Sequence, residues 1–370
     1  MRYYLVAGEA SGDLHGSNLM KGLKERDANS EFRYFGGNLM EAEGGELVKH
    51  YADMAFMGFV EVAFNLRTIL GNLKACKQDI LTWQPDVLIL IDFPGFNLKI
   101  AQFAKANGIL VCYYISPKVW AWNQKRVLKI KRVVDYMFCI LPFEVDFYKG
   151  WGMKVDYVGN PLLDAVSAFK PNPDFIDHYK LTEKPIVALL PGSRKQEINY
   201  LLPGMVALAG KFPQYQFVVA GAPSFKPDFY EQFIGGQAIP VLFDVTYDIL
   251  KNAKAAIVAS GTATLEAALF HVPQVVVYKG HPVTIGIARM LIKIRFISLV
   301  NLIMDRLVVK ELIQGDYSAD AANAELEMLL HNTTYRESML KNYTELDQRM
   351  GKPGASAKAA ELIVQYTTKK

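Results

Sequence analysis

The stretch PIVALLPGSRKQE, residues 185–197, passes from an apolar run through a Pro-Gly-Ser turn into a polar helical pattern. A short apolar run without alternating polar residues is typical of a strand that is buried on both faces. Similar runs, separated by helical patterns, occur at residues 3–7, 87–91, 109–115, 136–141, 216–220, 255–259 and 274–278. This alternation predicts an α/β fold in which helices cover both faces of parallel sheets.

The chain has 370 residues, which is long for one domain and sufficient for two. Three prolines and a lack of periodicity in residues 168–185 indicate a connection between them. We predict two doubly wound, Rossmann-like domains whose parallel sheets face a central cleft, where ligands of such sheets bind. The predicted segments are an N-terminal domain (1–168), a linker (169–185), a C-terminal domain (186–340) and a helical segment (341–370). The helical segment is expected to pack either on the N-terminal domain or on a partner subunit.

The composition excludes several classes of protein. The longest apolar runs have the length of core strands, so no transmembrane helix is predicted. Residues 1–7 lack the features of a signal peptide, which favours a cytoplasmic location. The three cysteines are widely spaced and the six histidines lack ligand spacing, so neither a disulfide nor a metal site is expected. A net charge of +4 is too small to indicate nucleic-acid binding.

Two turns in the first half of the chain are candidate site segments. In LIDFPGFN, residues 90–97, Asp92 follows an apolar run and should lie at the carboxyl edge of the sheet, where it could accept a proton from a hydroxyl nucleophile. A cap of the following helix is an equally good interpretation of Asp92. In GEASGDLHG, residues 8–16, small residues would let a ligand approach the backbone, and a cap formed by Ser11 or Asp13 is the alternative.

Two turns in the second half suit an anionic ligand. Arg194 stands at the start of a helix, where a guanidinium suits phosphate oxygens. In residues 259–273 small hydroxylated residues stand at a helix N-terminus, which favours a diphosphate, and Glu266 could accept hydrogen bonds from a ribose diol. An ordinary capped helix is the alternative. No D-x-D sequence occurs, which argues against a metal-bridged diphosphate.

The stretch MGFVEVAFNLRTILGNLKACK, residues 57–77, has too many apolar residues for one buried helix face, and basic residues are interspersed among them. Core packing is the ordinary explanation, and an apolar surface exposed to a membrane interface is the alternative. The candidate residues of this membrane patch are Met57, Phe59, Val60, Val62, Phe64, Leu66, Ile69, Leu70 and Leu73.

Seven segments together resemble the lipid-A-disaccharide synthase family. They are VAGEASGDLHG, MGFVEV, IDFPGFN, ISPKVWAWNQKR, LLPGSRKQE, ASGTATLEAAL and SLVNLIMDRLVVKEL, which lie in the family's order between residues 3 and 312. The resemblance implies a GT-B fold and an inverting transfer between UDP-2,3-diacylglucosamine and 2,3-diacylglucosamine 1-phosphate, which yields a β-1,6-linked disaccharide 1-phosphate and UDP. It also implies that no metal or cofactor is needed, that the protein is peripherally attached to the cytoplasmic face of the inner membrane, and that it forms a homodimer.

The resemblance also implies roles for individual residues. Asp92 matches the family's essential aspartate and would activate the acceptor 6-hydroxyl, whereas Arg194 matches its essential arginine and would bind the diphosphate of UDP. Gly95 replaces a second acidic residue of many members, which leaves Asp92 as the side-chain base, and Lys118 and Asn123 also depart from the common pattern. The implied donor-side residues are Gly192, Ser193, Ser260, Gly261, Thr262, Thr264, Glu266, Asn301, Arg306 and Glu311, and the implied acceptor-side residues are Glu9, Ser11, Gly12 and Asp13.

Two other functions fit parts of the pattern. A GT-B transferase or epimerase that acts on a soluble UDP-sugar would need no lipid surface. A noncatalytic UDP-sugar binding protein would bind UDP without turnover. The presence of both Asp92 and Arg194 favours an enzyme.

Overall fold

The structure, a computed structural model, describes residues 1–54, 65–281 and 294–368. The chain forms two compact units: Met1–Asp164 together with Lys352–Lys370, and Ala165–Gly351. It therefore passes from one unit to the other twice. The first passage lies at residues 164 and 165, and residues 169–185, the segment expected to be a linker, belong to the second unit.

Each unit contains one parallel sheet. The first sheet has the strand order β3-β2-β1-β4-β5-β6-β7, and the second has the order β10-β9-β8-β11-β12-β13. The strands are β1 (Arg2–Ala7), β2 (Glu31–Gly36), β3 (Glu46–His50), β4 (Val87–Ile91), β5 (Leu110–Tyr114), β6 (Tyr136–Cys139), β7 (Asp156–Tyr157), β8 (Ile186–Leu190), β9 (Gln216–Gly221), β10 (Val241–Phe243), β11 (Ala253–Ala259), β12 (Gln274–Tyr278) and β13 (Lys310–Ile313). The predicted α/β fold with two doubly wound parallel sheets is confirmed.

Most of the described helices lie between successive strands, and the last three follow β13. None of them is both long and apolar enough to cross a membrane. In chain order they are α1 (Ala10–Lys24), α2 (Asn38–Ala42), α3 (Leu66–Trp83), α4 (Pro94–Ala106), α5 (Val119–Trp122), α6 (Val127–Val133), α7 (Phe143–Gly150), α8 (Pro161–Ala168), α9 (Phe175–His178), α10 (Lys195–Ala207), α11 (Pro227–Ile234), α12 (Thr246–Asn252), α13 (Thr262–Leu269), α14 (Leu299–Met304), α15 (Ala319–His331), α16 (Thr333–Met350) and α17 (Ala355–Thr368).

Helices cover both faces of the first sheet. Helices α3, α4, α6 and α7 contribute to the core on one face, and α1 and α17 contribute to the core on the other. The contact between α1 and α17 is close, because a Cβ on Gly22 would fall 3.0 Å from the Cβ of Ala360. The carboxylate of Asp164 also accepts hydrogen bonds from the amides of Gly354 and Ala355, at the start of α17. The terminal helix is therefore part of the first unit.

Each sheet contains one point where the strand order reverses. In the first sheet β1 lies beside β4, with Ala7 paired to Ile91, and in the second β8 lies beside β11, with Leu190 paired to Val258. Ligands of doubly wound sheets bind outside the carboxyl ends of the strands at such a reversal. The four loops that follow these strands carry the GEASGDLHG, IDFPGFN, PGSR and SGTATLE motifs. All four candidate motifs therefore lie where their own sheet can bind a ligand.

Candidate functional site

Asp92 follows β4 in a backbone conformation that few residues other than glycine adopt. Its φ angle is 44°, and that of Phe93 is 47°. The left-handed conformation costs a residue with a Cβ on the order of 1 kcal/mol of conformational free energy. It is therefore kept only where neighbouring groups stabilise it. Here the Asp92 amide donates to the Tyr114 carbonyl at 3.1 Å. The Asp92 carbonyl accepts hydrogen bonds from Asn97 Nδ2, at 2.9 Å, and from the Tyr113 hydroxyl. The main-chain N–H and C=O groups of Asp92 are thus held by the Tyr114 carbonyl and by the side chains of Asn97 and Tyr113.

The electrostatic surroundings of Asp92 make its carboxylate more basic. Burial raises the pKa of Asp92 above its ordinary value, the positive charge of Lys118 opposes this rise, and the negative charge of Glu9 adds to it. A carboxylate with a raised pKa is a better proton acceptor than an exposed one. Phe93 occupies the N-cap position of α4, and its side chain forms no capping hydrogen bond. The N-cap position that the capping interpretation gives to Asp92 is therefore occupied by the next residue.

The loops after β1 and β4 are in direct contact. A Cβ on Gly8 would fall 2.3 Å from Cδ1 of Phe93, well inside van der Waals contact. Position 8 therefore requires glycine, and the contact brings Glu9 to the edge of the sheet that carries Asp92.

The remaining acceptor-side candidates lie in the first turn of α1. Ser11 is exposed, whereas Gly12 and Asp13 are buried. Glu9 occupies the N-cap position and its side chain forms no capping hydrogen bond. The structure therefore does not show Ser11 or Asp13 as the cap of α1.

Asp13 instead holds the start of α2. Its Oδ1 atom accepts hydrogen bonds from the amides of Gly37, at 2.8 Å, and Met40, at 3.0 Å, and its Oδ2 atom accepts one from Leu39 at 3.0 Å. These amides belong to the first turn of a helix, which lacks internal acceptors for its N–H groups. The contacts of Asp13 therefore support the loop after β2.

Residues of the ISPKVWAWNQKR motif form a buried polar cluster with α7 that the sequence did not predict. Glu144 is 1% exposed and accepts hydrogen bonds from Trp120 Nε1, at 3.2 Å, and from the Leu141 amide, at 3.0 Å. The Ser116 and Tyr148 hydroxyls are 2.8 Å apart. Burial raises the pKa of Glu144 to about 7. Glu144 lies in the first turn of α7, three residues after the apolar run 136–141.

In the second unit, main-chain amides of the turn after β8 donate hydrogen bonds to the carboxylate of Glu197. Gly192 has a φ angle of 98°, and a Cβ there would fall 2.4 Å from Oε2 of Glu197. That oxygen accepts hydrogen bonds from the amides of Ser193 and Arg194, at 3.2 and 3.3 Å. The Arg194 guanidinium, whose side chain is 69% exposed, donates to the other oxygen of Glu197 at 3.0 Å. The predicted cationic turn is thus present, with Glu197 as an additional member.

The loop after β11 presents small residues at the start of α13. Gly261 and Thr262 are exposed there. Thr264 is buried, and its hydroxyl donates to the Gly261 carbonyl at 2.8 Å. The Ser260 hydroxyl donates to the Ile297 carbonyl at 3.0 Å. The exposed part of this loop can approach an anion, whereas Ser260 and Thr264 make internal contacts.

Glu266 lies one turn further along α13. It is half-buried, and the Tyr247 hydroxyl donates a hydrogen bond to its Oε1 atom at 3.1 Å. Burial raises the pKa of Glu266, and the hydrogen bond from Tyr247 opposes the rise. The carboxylate is therefore oriented by Tyr247, a residue that lies outside the sequence motifs.

Asn301 and Glu311 organise the SLVNLIMDRLVVKEL segment. The Asn301 side chain accepts hydrogen bonds from the amides of Val308 and Val309, at 2.8 and 3.0 Å. Glu311 accepts hydrogen bonds from the amides of Ile297 and Ser298. These contacts connect two candidate donor-side residues to the main chain.

Arg306 lies in the same segment but contacts α16. Its guanidinium donates to Oδ1 of Asn342 and to the carboxylate of Glu345. Arg306 therefore connects the loop after α14 to α16.

The membrane patch is described in part. Met57, Phe59, Val60, Val62 and Phe64 lie outside the described residues. Of the others, Leu66 and Leu70 are exposed, Ile69 is half-buried and Leu73 is buried. A groove of about 680 Å³ lies between α3 and α4, and its apolar lining is flanked by Lys74, Lys77 and Lys99. Neither interpretation of the stretch, core packing or exposed surface, applies to all four residues.

The comparisons with known proteins extend over the whole chain. The family model described as "Lipid-A-disaccharide synthetase" matches residues 3–364. The lipid-A-disaccharide synthase of Myxococcus xanthus strain DK1622 is 40% identical over 375 residues, which cover 98% of this chain and 97% of that protein.

Solved structures of low identity share the fold. The UDP-GlcNAc 2-epimerase of Neisseria meningitidis, bound to UDP-GlcNAc, superposes with a TM-score of 0.68 at 12% identity and full coverage of both chains. The glycotransferase of kitacinnamycin superposes with a TM-score of 0.66 at 14% identity and 98% coverage of each chain. At such identity the likeness concerns the fold alone, whereas the full-length match to the family decides membership. The chain belongs to the lipid-A-disaccharide synthetase family.

Proposed function

We propose that the protein condenses UDP-2,3-diacylglucosamine with 2,3-diacylglucosamine 1-phosphate to form the β-1,6-linked lipid A disaccharide 1-phosphate and UDP. The observation that carries this proposal is the family match over residues 3–364. The positions of Asp92 and Arg194 support it, because each residue follows a strand at the reversal point of its own sheet. The alternative functions share this fold, so the fold alone does not separate them.

Asp92 is the proposed general base. As the acceptor 6-oxygen forms its bond to the anomeric carbon of the donor, the bond from that carbon to the UDP oxygen breaks. The proton of the 6-hydroxyl passes to the Asp92 carboxylate during the attack, because a sugar hydroxyl is too weak an acid to ionise beforehand. Burial raises the pKa of Asp92, which suits this role. A single displacement converts the α-linked donor into a β-linked product.

Arg194 is proposed to stabilise the departing diphosphate. Its side chain is 69% exposed at the start of α10, so its guanidinium can reach a ligand. Negative charge grows on the UDP oxygen as the glycosidic bond breaks, and a fixed cation lowers the energy of that charge. Loss of Arg194 should therefore reduce turnover more than it weakens the binding of the intact donor.

The nucleotide is proposed to bind along the second sheet. Gly192, Ser193, Gly261 and Thr262 would offer main-chain amides to the diphosphate, and Glu266, oriented by Tyr247, would accept hydrogen bonds from the ribose. The remaining donor-side candidates have internal contacts and would act by shaping these loops: Ser260, Thr264, Asn301, Arg306 and Glu311.

On the acceptor side we assign contacts to Glu9, Ser11 and Gly12, and Asp13 holds the neighbouring loop.

We also propose peripheral attachment to the cytoplasmic face of the inner membrane through residues 57–73. The exposure of Leu66 and Leu70 supports this location. A homodimer is proposed from the family resemblance, and a monomeric mass in light scattering would overturn it.

The first experiment measures disaccharide formation from the two acylated substrates in detergent micelles, with EDTA present. Wild type should form product. Asp92→Asn should nearly abolish turnover while UDP binding is retained, and Asp146→Asn, which removes an exposed carboxylate of the same unit, should retain turnover. A wild type that binds UDP but forms no disaccharide would refute the lipid substrates and favour the soluble-sugar or binding alternatives.

A further inference from the structure

The turn that we assign to the diphosphate already holds an anion of the protein itself. Three N–H groups converge on the carboxylate of Glu197: the amides of Ser193 and Arg194, at 3.2 and 3.3 Å, and Nη1 of Arg194, at 3.0 Å. Two main-chain amides and a guanidinium form the donor set that proteins use to bind phosphate oxygens. Glu197 is therefore bound in the way that a phosphate group would be.

A carboxylate and a diphosphate cannot use these groups at the same time. Each main-chain amide has one hydrogen to donate, and two anions at hydrogen-bond distance from the same donors repel each other. If the diphosphate of UDP takes the Ser193 and Arg194 amides, then Glu197 has to release them.

We propose that Glu197 is a stand-in for the diphosphate: its carboxylate occupies the donors of the 192–194 turn in the free protein and leaves them when UDP binds. This inference rests on the proposed function, because that function assigns the diphosphate to this turn. The carboxylate keeps the turn in its binding conformation while the nucleotide is absent. It also makes nucleotide binding weaker than an empty turn of the same shape would allow.

The geometry allows such an exchange. Ser193 and Arg194 are exposed, so a ligand can reach their amides. The Glu197 side chain is 18% exposed, and it is attached to a helix whose first turn borders solvent. The Cβ-free Gly192, at φ 98°, leaves the space against Oε2 that the carboxylate now fills.

A different role for Glu197 would be that of a helix cap and nothing more. Glu197, in the first turn of α10, does accept a hydrogen bond from the main-chain amide of Arg194, the residue at the N-cap position. The two roles predict opposite effects of removing the charge. Loss of a cap would loosen the turn and weaken UDP binding, whereas loss of a competing anion would strengthen it.

The test compares UDP binding by wild type and Glu197→Gln, measured by isothermal titration calorimetry. Glutamine keeps one side-chain acceptor for the turn and loses the charge. We expect Glu197→Gln to bind UDP about three- to tenfold more tightly and to bind uridine, which lacks phosphates, as wild type does. Glu183→Gln removes an exposed charge from the same unit and should change UDP affinity by less than about twofold.

Unchanged or weaker UDP binding by Glu197→Gln would overturn the inference and leave Glu197 as a cap. A crystal structure of the wild-type protein with UDP tests the same point without a variant. The Glu197 carboxylate should then lie beyond hydrogen-bond distance from both amides, and a carboxylate that still accepts both beside bound UDP would overturn the inference. Failure of the wild-type protein to bind UDP at all would refute the proposed function itself.

Discussion

The side-chain amide of Asn301 donates a hydrogen bond to Oε1 of Glu311 at 2.9 Å, and through this pair the start of α14 and strand β13 are held together. Asn301 is fully buried and also accepts hydrogen bonds from the amides of Val308 and Val309. The Asn301 side chain therefore supplies the acceptor that a helix or strand would otherwise provide for the amides of Val308 and Val309.

Asn301→Ala should lower the free energy of unfolding of the second unit by about 3 kcal/mol, because two buried amides lose their acceptor. Urea unfolding followed by circular dichroism measures this change. Asn199→Ala, at an exposed position of α10, is the control and should have little effect. A loss below about 1 kcal/mol for Asn301→Ala would mean that water or a neighbouring group satisfies these amides.

Removal of the Lys118 charge and removal of the Glu9 charge should shift the pH dependence of turnover in opposite directions. The general base has to be ionised, so kcat/KM should fall as the pH drops through the pKa of Asp92. Lys118 lowers that pKa, so Lys118→Met should move the acidic limb of the profile to higher pH. Glu9 raises it, so Glu9→Gln should move the limb to lower pH. Shifts of the same sign in both variants would exclude Asp92 as the group that titrates.

Glu144 should make the first unit less stable as the pH rises. Burial raises its pKa from the ordinary value of 4.5 to about 7, so between these values the folded state keeps a proton that the unfolded state has lost. The free energy of unfolding should therefore decrease from pH 4.5 to pH 7, and the contribution of Glu144 to this decrease is roughly 3 kcal/mol.

Urea unfolding at pH 5 and pH 8 measures this effect through tryptophan fluorescence. All four tryptophans belong to the first unit: Trp83, Trp120, Trp122 and Trp151. Glu144→Gln stays neutral and should flatten the pH dependence, whereas the exposed Glu31→Gln should leave it unchanged. An unaltered slope in Glu144→Gln would show that Glu144 is ionised throughout this range.

Gly8→Ala should disturb the loop that carries Asp92. The new methyl group would fall 2.3 Å from the ring of Phe93, and overpacking of this kind typically costs about 1–3 kcal/mol. We expect lower turnover and a lower free energy of unfolding of the first unit, measured by tryptophan fluorescence. Phe93→Ala in the same chain removes the ring and should recover part of the stability. If the double variant recovers no stability, the methyl group at position 8 clashes with a group other than the Phe93 ring.

The strands that the sequence predicts are those buried on both faces. The segments VLILI of β4 and IVALL of β8 are fully buried and entirely apolar. The segments ELVKH of β3 and KELI of β13 lie at sheet edges and contain exposed polar residues, so no continuous apolar run reveals them. The parallel architecture was therefore visible in the sequence, whereas the full width of each sheet was not.

The candidate site was visible as a set of motifs but not as a set of contacts. Asp92 and Arg194 each follow a predicted strand, and this order alone places them at the carboxyl edge of a sheet. The partners of Asp13 lie 24 to 27 residues away, at the start of a different helix. Such contacts depend on how separate segments pack, and the spacing of residues along the chain does not encode that packing.

The return of α17 to the first unit has a consequence for the order in which the protein is made. The capping contact between Asp164 and Gly354 joins residues 190 positions apart. During synthesis the ribosome therefore completes the whole second unit before it delivers the helix that covers α1. Until then the surface around Leu19, Leu23 and Gly22 is exposed to chaperones and proteases. The first unit cannot complete its core until α17 has been synthesised. The second unit is continuous in sequence and can fold as it emerges.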